Sequence, residues 1–254
     1  MTNQFTAHNV RLDNGEMTLP SMPYEMGQHP WFRSAKRALS LAFGDRWTGR
    51  RIVDLGCLEG GYTTEFARLG FEALGIEVRQ SNFINCEYVR NSFNLPNLSF
   101  ARDDVWNIER YGGFDAVFCC GLFYHLDRPR EFLRLASSQC KKIILIQTHF
   151  STVLPIDRFD LSPMTMNEGM PGRWYREAGV TPTESDEGDK WGSWDNRKSF
   201  WIQREYLIDE IHQNGFDMVF EQYDCLDSPI SLSMTEGYYR TDNRCMFVGI
   251  RTEV

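Results

Sequence analysis

Between residues 51 and 150 the chain alternates short apolar runs with amphipathic runs of helical period, and few folds accommodate that rhythm. RIVDL, EALGIEV, LSFARDDV, FDAVFCCGL and KKIILIQTHF read as strands. YTTEFARL, SNFINCEYVRNSF and PREFLRLASSQC read as helices, the first stopped by Gly70 and the second by Asn94 and Pro96. Repeated alternation of this kind predicts a parallel sheet with helices on both faces. Upstream, WFRSAKRALSLAF has helical spacing, whereas the first ~30 residues are polar and punctuated by proline and so are expected to be irregular.

Downstream, REYLIDEIHQNG reads as a helix closed at Gly215, followed by two strands, FDMVFEQYD and RCMFVGIRT. Little chain separates these strands for a crossover helix, so they are expected to pair antiparallel. Between them and the alternating region, residues 151–199 lose the pattern. That stretch mixes TPTESDEGDK with Trp174, Tyr175, Trp191 and Trp194, and it is read as a lid-like insertion. The expected organisation is one domain over residues 1–254: a cover segment (1–46), a ligand-binding core (47–150), the insertion (151–199), and a final helix and strand pair (200–254).

The 254 residues are 42% hydrophobic, enough for a substantial core, and carry a net charge of −8. That charge argues against broad binding to nucleic acid phosphates or anionic membrane. No apolar run approaches the ~18 residues of a membrane span, and the N-terminus lacks an apolar signal core, so cytoplasm is the expected compartment. The seven cysteines are odd in number, lie mostly in apolar runs and show no CxxC spacing. Buried reduced thiols are expected, with no metal site.

The first strand and its turn, RIVDLGCLEGGYTTEF, narrow the ligand. A P-loop would need lysine where Tyr62 stands, and a dinucleotide turn would place glycine where Leu58 stands. The nucleotide triphosphate reading therefore fails, and the NAD reading is weakened. S-adenosylmethionine has an adenosine but no phosphate, and its ammonium and sulfonium favour acids such as Asp54 and Glu59 beside the turn. Gly56, Gly60 and Gly61 would allow close backbone approach. Glu77 follows Gly56 by 21 residues, near the spacing of ~20 expected for a ribose-binding acid. Asp103 and Asp104 end the third strand, where a carboxylate can meet an adenine amino group; Asp104 is the preferred register.

DLGCLEGGYT, IEV, ARDDVWNI and FDAVFCCGLFYHLDRP, in this order, resemble the motifs of class I S-adenosylmethionine-dependent methyltransferases. The resemblance covers roughly residues 51–150. It implies a Rossmann-like, seven-stranded, mostly parallel sheet with an antiparallel last strand. It also implies that Asp54, Gly56 and Gly60 surround the methionine moiety, and that Glu77 and Val78 hold the ribose. Asp104 and Val105 would hold the adenine, and Cys120 and Gly121 would line the sulfonium side. Leu58 departs from the family's usual glycine. FYHLDRP and the tail NRKSFWIQREYLIDEIHQNGF are similar both to small-molecule methyltransferases and to enzymes that modify the wobble uridine of transfer RNA.

His125 and His149 follow the fourth strand and end the fifth, the edge where open α/β sheets hold ligands, and are the candidate general bases. Each could instead be a packing residue; His8, His29 and His212 are read as surface or packing. Cys119 and Cys120 are read as buried strand residues. Trp174, Tyr175, Trp191 and Trp194 either pin the insertion or close over an acceptor, and Arg173, Arg176, Arg197 and Lys198 could meet an acceptor anion. Trp31 and Arg33 could cover the methionine end. The expected function is methyl transfer from S-adenosylmethionine to oxygen or nitrogen of a small-molecule acceptor, giving S-adenosylhomocysteine. A tRNA-modifying enzyme and a non-catalytic cofactor-binding module are the alternatives.

Overall fold

The computed structural model describes residues 4–177, 190–225 and 229–252. Ten strands are present among them: β1 (Arg51–Leu55), β2 (Glu72–Glu77), β3 (Leu98–Arg102), β4 (Phe114–Cys120), β5 (Cys140–His149), β6 (Thr165–Asn167), β7 (Met170–Arg176), β8 (Lys198–Ile202), β9 (Met218–Gln222) and β10 (Arg244–Ile250). The principal helices are α1 (Pro30–Phe43), α2 (Gly61–Leu69), α3 (Gln80–Asn91), α4 (Pro129–Ser138) and α5 (Arg204–Gln213). Seven strands form one sheet in the order β3-β2-β1-β4-β5-β10-β9. β1 to β5 pair in parallel, while β10 runs antiparallel to both β5 and β9.

Strand periodicity sends alternate residues to opposite faces, and two cores follow from it. Ile52, Ala116, Phe118, Ile143, Leu145, Met246 and Val248 pack with Phe32 and Leu39 of α1 and Phe66 of α2. Their neighbours Val53, Leu55, Val117, Cys119, Ile144, Ile146 and Phe247 pack with Phe132 and Leu133 of α4 and Leu207 and Ile211 of α5. The expected doubly wound sheet is therefore present.

Two expectations need correction. The insertion is not irregular throughout: β6, β7 and β8 form a separate antiparallel sheet. Its first turn is the two-residue loop Glu168-Gly169, both with positive φ (51° and 77°). Two such residues in succession suit the twist of a tight hairpin. The strain at Glu168 is offset because its carboxylate accepts the N–H groups of Arg130 and Glu131, each at 2.9 Å, capping the first turn of α4. The chain between β9 and β10 also holds two short helices, Ile230–Thr235 and Tyr238–Asp242. The antiparallel pairing expected there is nonetheless present. Of TPTESDEGDK, residues 181–189 lie outside the described ones.

The turn after β1 is shaped by close approach. Gly60 has φ 77°, and a Cβ there would lie 2.6 Å from the ring of Phe100. Gly60→Ala incurs about 1–2 kcal/mol from the left-handed backbone, and the ring contact adds to it. A melting temperature lowered by roughly 4 °C or more is expected, measured by differential scanning calorimetry.

Candidate functional site

A cavity of about 440 Å³ opens at the C-terminal ends of β1, β2 and β4, walled by three parts of the chain. The sheet edge supplies Gly56, Leu58, Glu77, Val78, Asp104, Val105, Cys120 and Gly121. The N-terminal segment supplies Thr6, Ala7, His8, Met22, His29 and Trp31, and the insertion supplies residues 190–196. Such a crevice outside the carboxyl ends of parallel strands is where doubly wound sheets bind ligands.

The β1 turn is fastened to β2. The N–H groups of Gly56 and Cys57 both donate to the Ile76 carbonyl at 3.0 Å. Glu77 accepts from the Leu58 N–H at 2.9 Å and the Arg79 N–H at 2.8 Å, one on each carboxylate oxygen. Burial raises the Glu77 pKa against those bonds. The Asn82 amide also donates to Oε1 at 3.4 Å, so the acceptor capacity left to Glu77, which lines the cavity, is on Oε2. Leu58 occupies the left-handed region at φ 53°, the conformation that explains why glycine is usual there.

Asp103 and Asp104 divide their tasks. The Asp103 carboxylate accepts from the Asp104 N–H, the Asn107 amide and the Tyr111 hydroxyl, and its pKa is lowered although desolvation opposes this. Asp104 caps the following turn by accepting from Trp106 N–H at 3.0 Å, and it is Asp104 that lines the cavity. Arg79 donates to the carbonyls of Gly192 and Ser193 and lies over the Trp194 ring, fixing residues 192–194 across this end.

Several sequence candidates lie behind the cavity wall. Asp54, Gly60 and His149 are absent from its lining. Asp54 is buried beneath the turn and accepts from Thr63 Oγ1 at 2.7 Å. Glu59, read as facing the cofactor, is instead fully buried and receives Thr6 N–H, Thr6 Oγ1, Ala7 N–H and His8 N–H. His149 stacks on Trp201 at 4.6 Å, and its Nδ1 lies 2.6 Å from the Asp242 carbonyl. Burial, helped by Arg244, lowers its pKa to about 3 and keeps it neutral. Cys120 does line the cavity, with its thiol pushed up to about 12 by burial. Trp174 and Tyr175 pack on Phe200 and Trp201 within the insertion, whereas Trp191 and Trp194 reach the cavity. Arg173 is committed to the carbonyls of Thr152, Val153 and Ser162.

His125 lines the cavity just after β4. Its Nδ1 lies 2.9 Å from Glu177 Oε1, and the two side chains are 13% and 2% exposed. Ser199 Oγ donates to the same carboxylate oxygen at 2.7 Å. Glu177 follows β7 directly, so the second sheet carries the acid to the histidine. Sequence reasoning passed over Glu177, 52 residues from its partner. It also passed over Arg244, which enters the cavity from the start of β10. Because β10 is antiparallel, its first residue lies beside the last of β5, at the ligand-binding edge. That placement was available from the expected pairing. Arg244 donates to Gln147 Oε1 at 2.9 Å and lies over the Tyr124 ring, while its Nε has no hydrogen-bond partner among the described residues.

Residues 27–221 match the family profile described as a methyltransferase domain. The chain belongs to that family. Among solved structures, the N-terminal domain of EvdMO1 with SAH bound is 26% identical, with a TM-score of 0.63, covering 88% of this chain and 82% of that one. Magnesium protoporphyrin IX methyltransferase (ChlM) from Synechocystis PCC 6803 with bound SAM shares the fold at a TM-score of 0.53 and 11% identity, covering 88% and 80%. A tRNA U34 carboxymethyltransferase from Pseudomonas putida (strain GB-1) is 26% identical over 190 residues, 68% of this chain and 58% of that protein. Its counterpart from Sulfurimonas denitrificans is 24% identical, covering 68% and 63%. The chain thus spans less than two thirds of these curated relatives. The chain carries a methyltransferase domain, and the residues along the cavity fit S-adenosylmethionine: acids at one end and glycine backbone at the turn. Among the described residues no helix is long and apolar enough to cross a membrane.

Burial raises the Asp54 pKa to about 7, with the Thr63 bonds opposing and Glu77 adding to the rise. In the unfolded chain an aspartate titrates near ~3.9, so between about pH 4 and pH 7 the folded state holds a proton that the unfolded state has lost. The Asp54 contribution to stability therefore falls as pH rises through that window and is flat above it. Asp54→Asn removes this dependence. The melting temperature of the variant relative to wild type is expected to be higher at about pH 8 than at about pH 5.

Proposed function

We propose that the chain methylates an oxygen or nitrogen of a small-molecule acceptor, with His125 as general base. The observation that carries this reading is the His125–Glu177 pair at 2.9 Å in the cavity wall. A carboxylate accepting from Nδ1–H leaves Nε2 with its lone pair free for an incoming proton. When bound, S-adenosylmethionine would supply an electrophilic methyl carbon for in-line attack by the acceptor oxygen or nitrogen, its carbon–sulfur bond electrons leaving on the neutral thioether of S-adenosylhomocysteine. The acceptor proton passes to His125 Nε2, and Glu177 stabilises the resulting imidazolium.

Glu77 and Val78 would hold the ribose, Asp104 and Val105 the adenine, and Gly56 would lie beside the methionine chain; all five line the cavity, which supports this reading. Asp54 and Gly60 act from behind, by fixing the turn. Cys120 and Gly121 border the sulfonium. Residues 190–196 lie across the site and bound the space left for an acceptor. With an acceptor found by screening for S-adenosylhomocysteine release, His125→Ala should lower kcat by roughly 10²–10⁴-fold, with Glu177→Gln lowering it less. S-adenosylhomocysteine affinity should stay within about twofold in both variants. Unchanged kcat in both would remove His125 as base.

A second reading concerns the transferred group, because the curated relatives are named carboxymethyltransferases of tRNA. A carboxymethyl group brings a carboxylate beside the sulfonium, and a buried carboxylate needs a cation. Arg244 supplies one, with an unpartnered Nε and, among the described residues, no carboxylate within salt-bridge distance. For methyl transfer, the wild type is expected to bind S-adenosylmethionine at least as tightly as an analogue bearing S-carboxymethyl. A preference of tenfold or more for the carboxylated ligand by calorimetry, abolished in Arg244→Met, would instead establish carboxymethyl transfer. A tRNA acceptor would show as affinity falling steeply with salt.

A further inference from the structure

Three histidines line the cavity, and their partners assign them two different tautomers. His125 faces a carboxylate through Nδ1, so that nitrogen donates and Nε2 is the lone pair. His8 and His29 are the reverse. The Gly61 N–H donates to His8 Nδ1 at 2.9 Å, and the Trp31 N–H donates to His29 Nδ1 at 3.2 Å. A backbone N–H can only donate, so both Nδ1 atoms are bare and each neutral ring carries its proton on Nε2. The Tyr62 hydroxyl lies 3.0 Å from the same nitrogen of His29. Desolvation is the main reason that both rings stay neutral: the His8 pKa is lowered to about 4 despite Glu59, and the His29 pKa to about 4 with help from His8 and Arg244.

Each ring therefore offers one N–H, and among the described residues neither Nε2 has a hydrogen-bond partner. The nearest acid, Glu59, is occupied by the backbone of residues 6–8. His8 also transmits the positive end of α2: the Gly61 N–H, in the first turn of that helix, polarises the imidazole towards a stronger donor at Nε2. The cavity thus has acceptors at the Glu77 and Asp104 end and neutral donors where the N-terminal segment meets the β1 turn.

We propose that His8 and His29 form the receptor for the α-carboxylate of the cofactor's methionine moiety, each donating from Nε2. The proposal rests on the cofactor placement above, with adenosine at Glu77 and Asp104. The methionine chain then extends past Gly56 towards these rings. Neutral donors suit that end of the ligand, because its carboxylate and ammonium already sum to zero. They hold the carboxylate without repelling the ammonium.

The test compares S-adenosylhomocysteine with 5′-methylthioadenosine, which keeps the adenosine and thioether but lacks the amino-acid end. By calorimetry on the full chain, His29→Phe should weaken S-adenosylhomocysteine about tenfold to a hundredfold and leave methylthioadenosine within about twofold. His29→Gln, which retains an N–H donor, should recover part of the loss. Equal weakening of both ligands, or no change in either, would overturn the proposal. On the wild type, two imidazole Nε2–H resonances should move downfield with S-adenosylhomocysteine and stay in place with its decarboxylated analogue; identical spectra with the two would also overturn it. If wild type binds methylthioadenosine and no S-adenosylhomocysteine, the placement of the methionine end fails. If it binds neither, the cofactor reading fails first.

Discussion

The buried carboxylate of Glu59 is the constraint on which the site's walls depend. A charge removed from water is tolerable only when its lone pairs are filled, and here three backbone N–H groups and one hydroxyl fill them. Lys190 approaches the same carboxylate at 3.9 Å and adds a bond to the Gln4 carbonyl. One acid thus gathers the N-terminal segment and the insertion over the β1 turn. His8 is set on Gly61 by the same anchoring, so the cover is built in register with the helix it caps.

A second acid performs the corresponding task in the acceptor half. Glu177 joins the end of β7 to His125 after β4, and Ser199 from β8 completes its bonding. The insertion is therefore more than a lid. Its sheet positions the partner of the candidate base, and Glu168 at the other end of β7 caps α4, the helix that follows the same loop. Removing the insertion would leave both His125 and the start of α4 without their fixing groups.

The strands and helices of the main sheet were legible because each depends on short-range periodicity, as the split of Ile52 and Val53 between two cores illustrates. Glu77 and Asp104 were legible because strand ends and turns fix where carboxylates emerge. Glu59 was misread for a physical reason: in sequence an acid inside a glycine turn looks directed at a cationic ligand, and only tertiary structure reveals backbone donors arriving from residues 6–8. Glu177 and Arg244 carried no local signal. Their roles arise from pairings across 52 and 97 residues, with His125 and Gln147. The β6–β7 hairpin did carry one, in Glu168-Gly169, but it was masked by the surrounding glycine and proline.

The histidines show how one side-chain type can serve opposite roles within a single cavity. With a carboxylate at Nδ1, the proposed neutral tautomer of His125 has its lone pair on Nε2; a backbone N–H at Nδ1 puts the N–H of His8 and His29 on Nε2 instead. Identity and burial alone do not separate these cases, since all three rings line one space. The partner of the far nitrogen does. It also orders the cavity: the acids Glu77 and Asp104 at one end, neutral donors at the N-terminal segment, and His125 with the cation Arg244 where the ends of β4 and β10 flank that of β5. A ligand with an adenosine, a sulfonium and a zwitterionic tail would match that order with its adenosine at the acids. Reversal would bring the ligand's carboxylate against Glu77, two like charges, so the proposed orientation, with the methyl carbon towards His125, would be favoured.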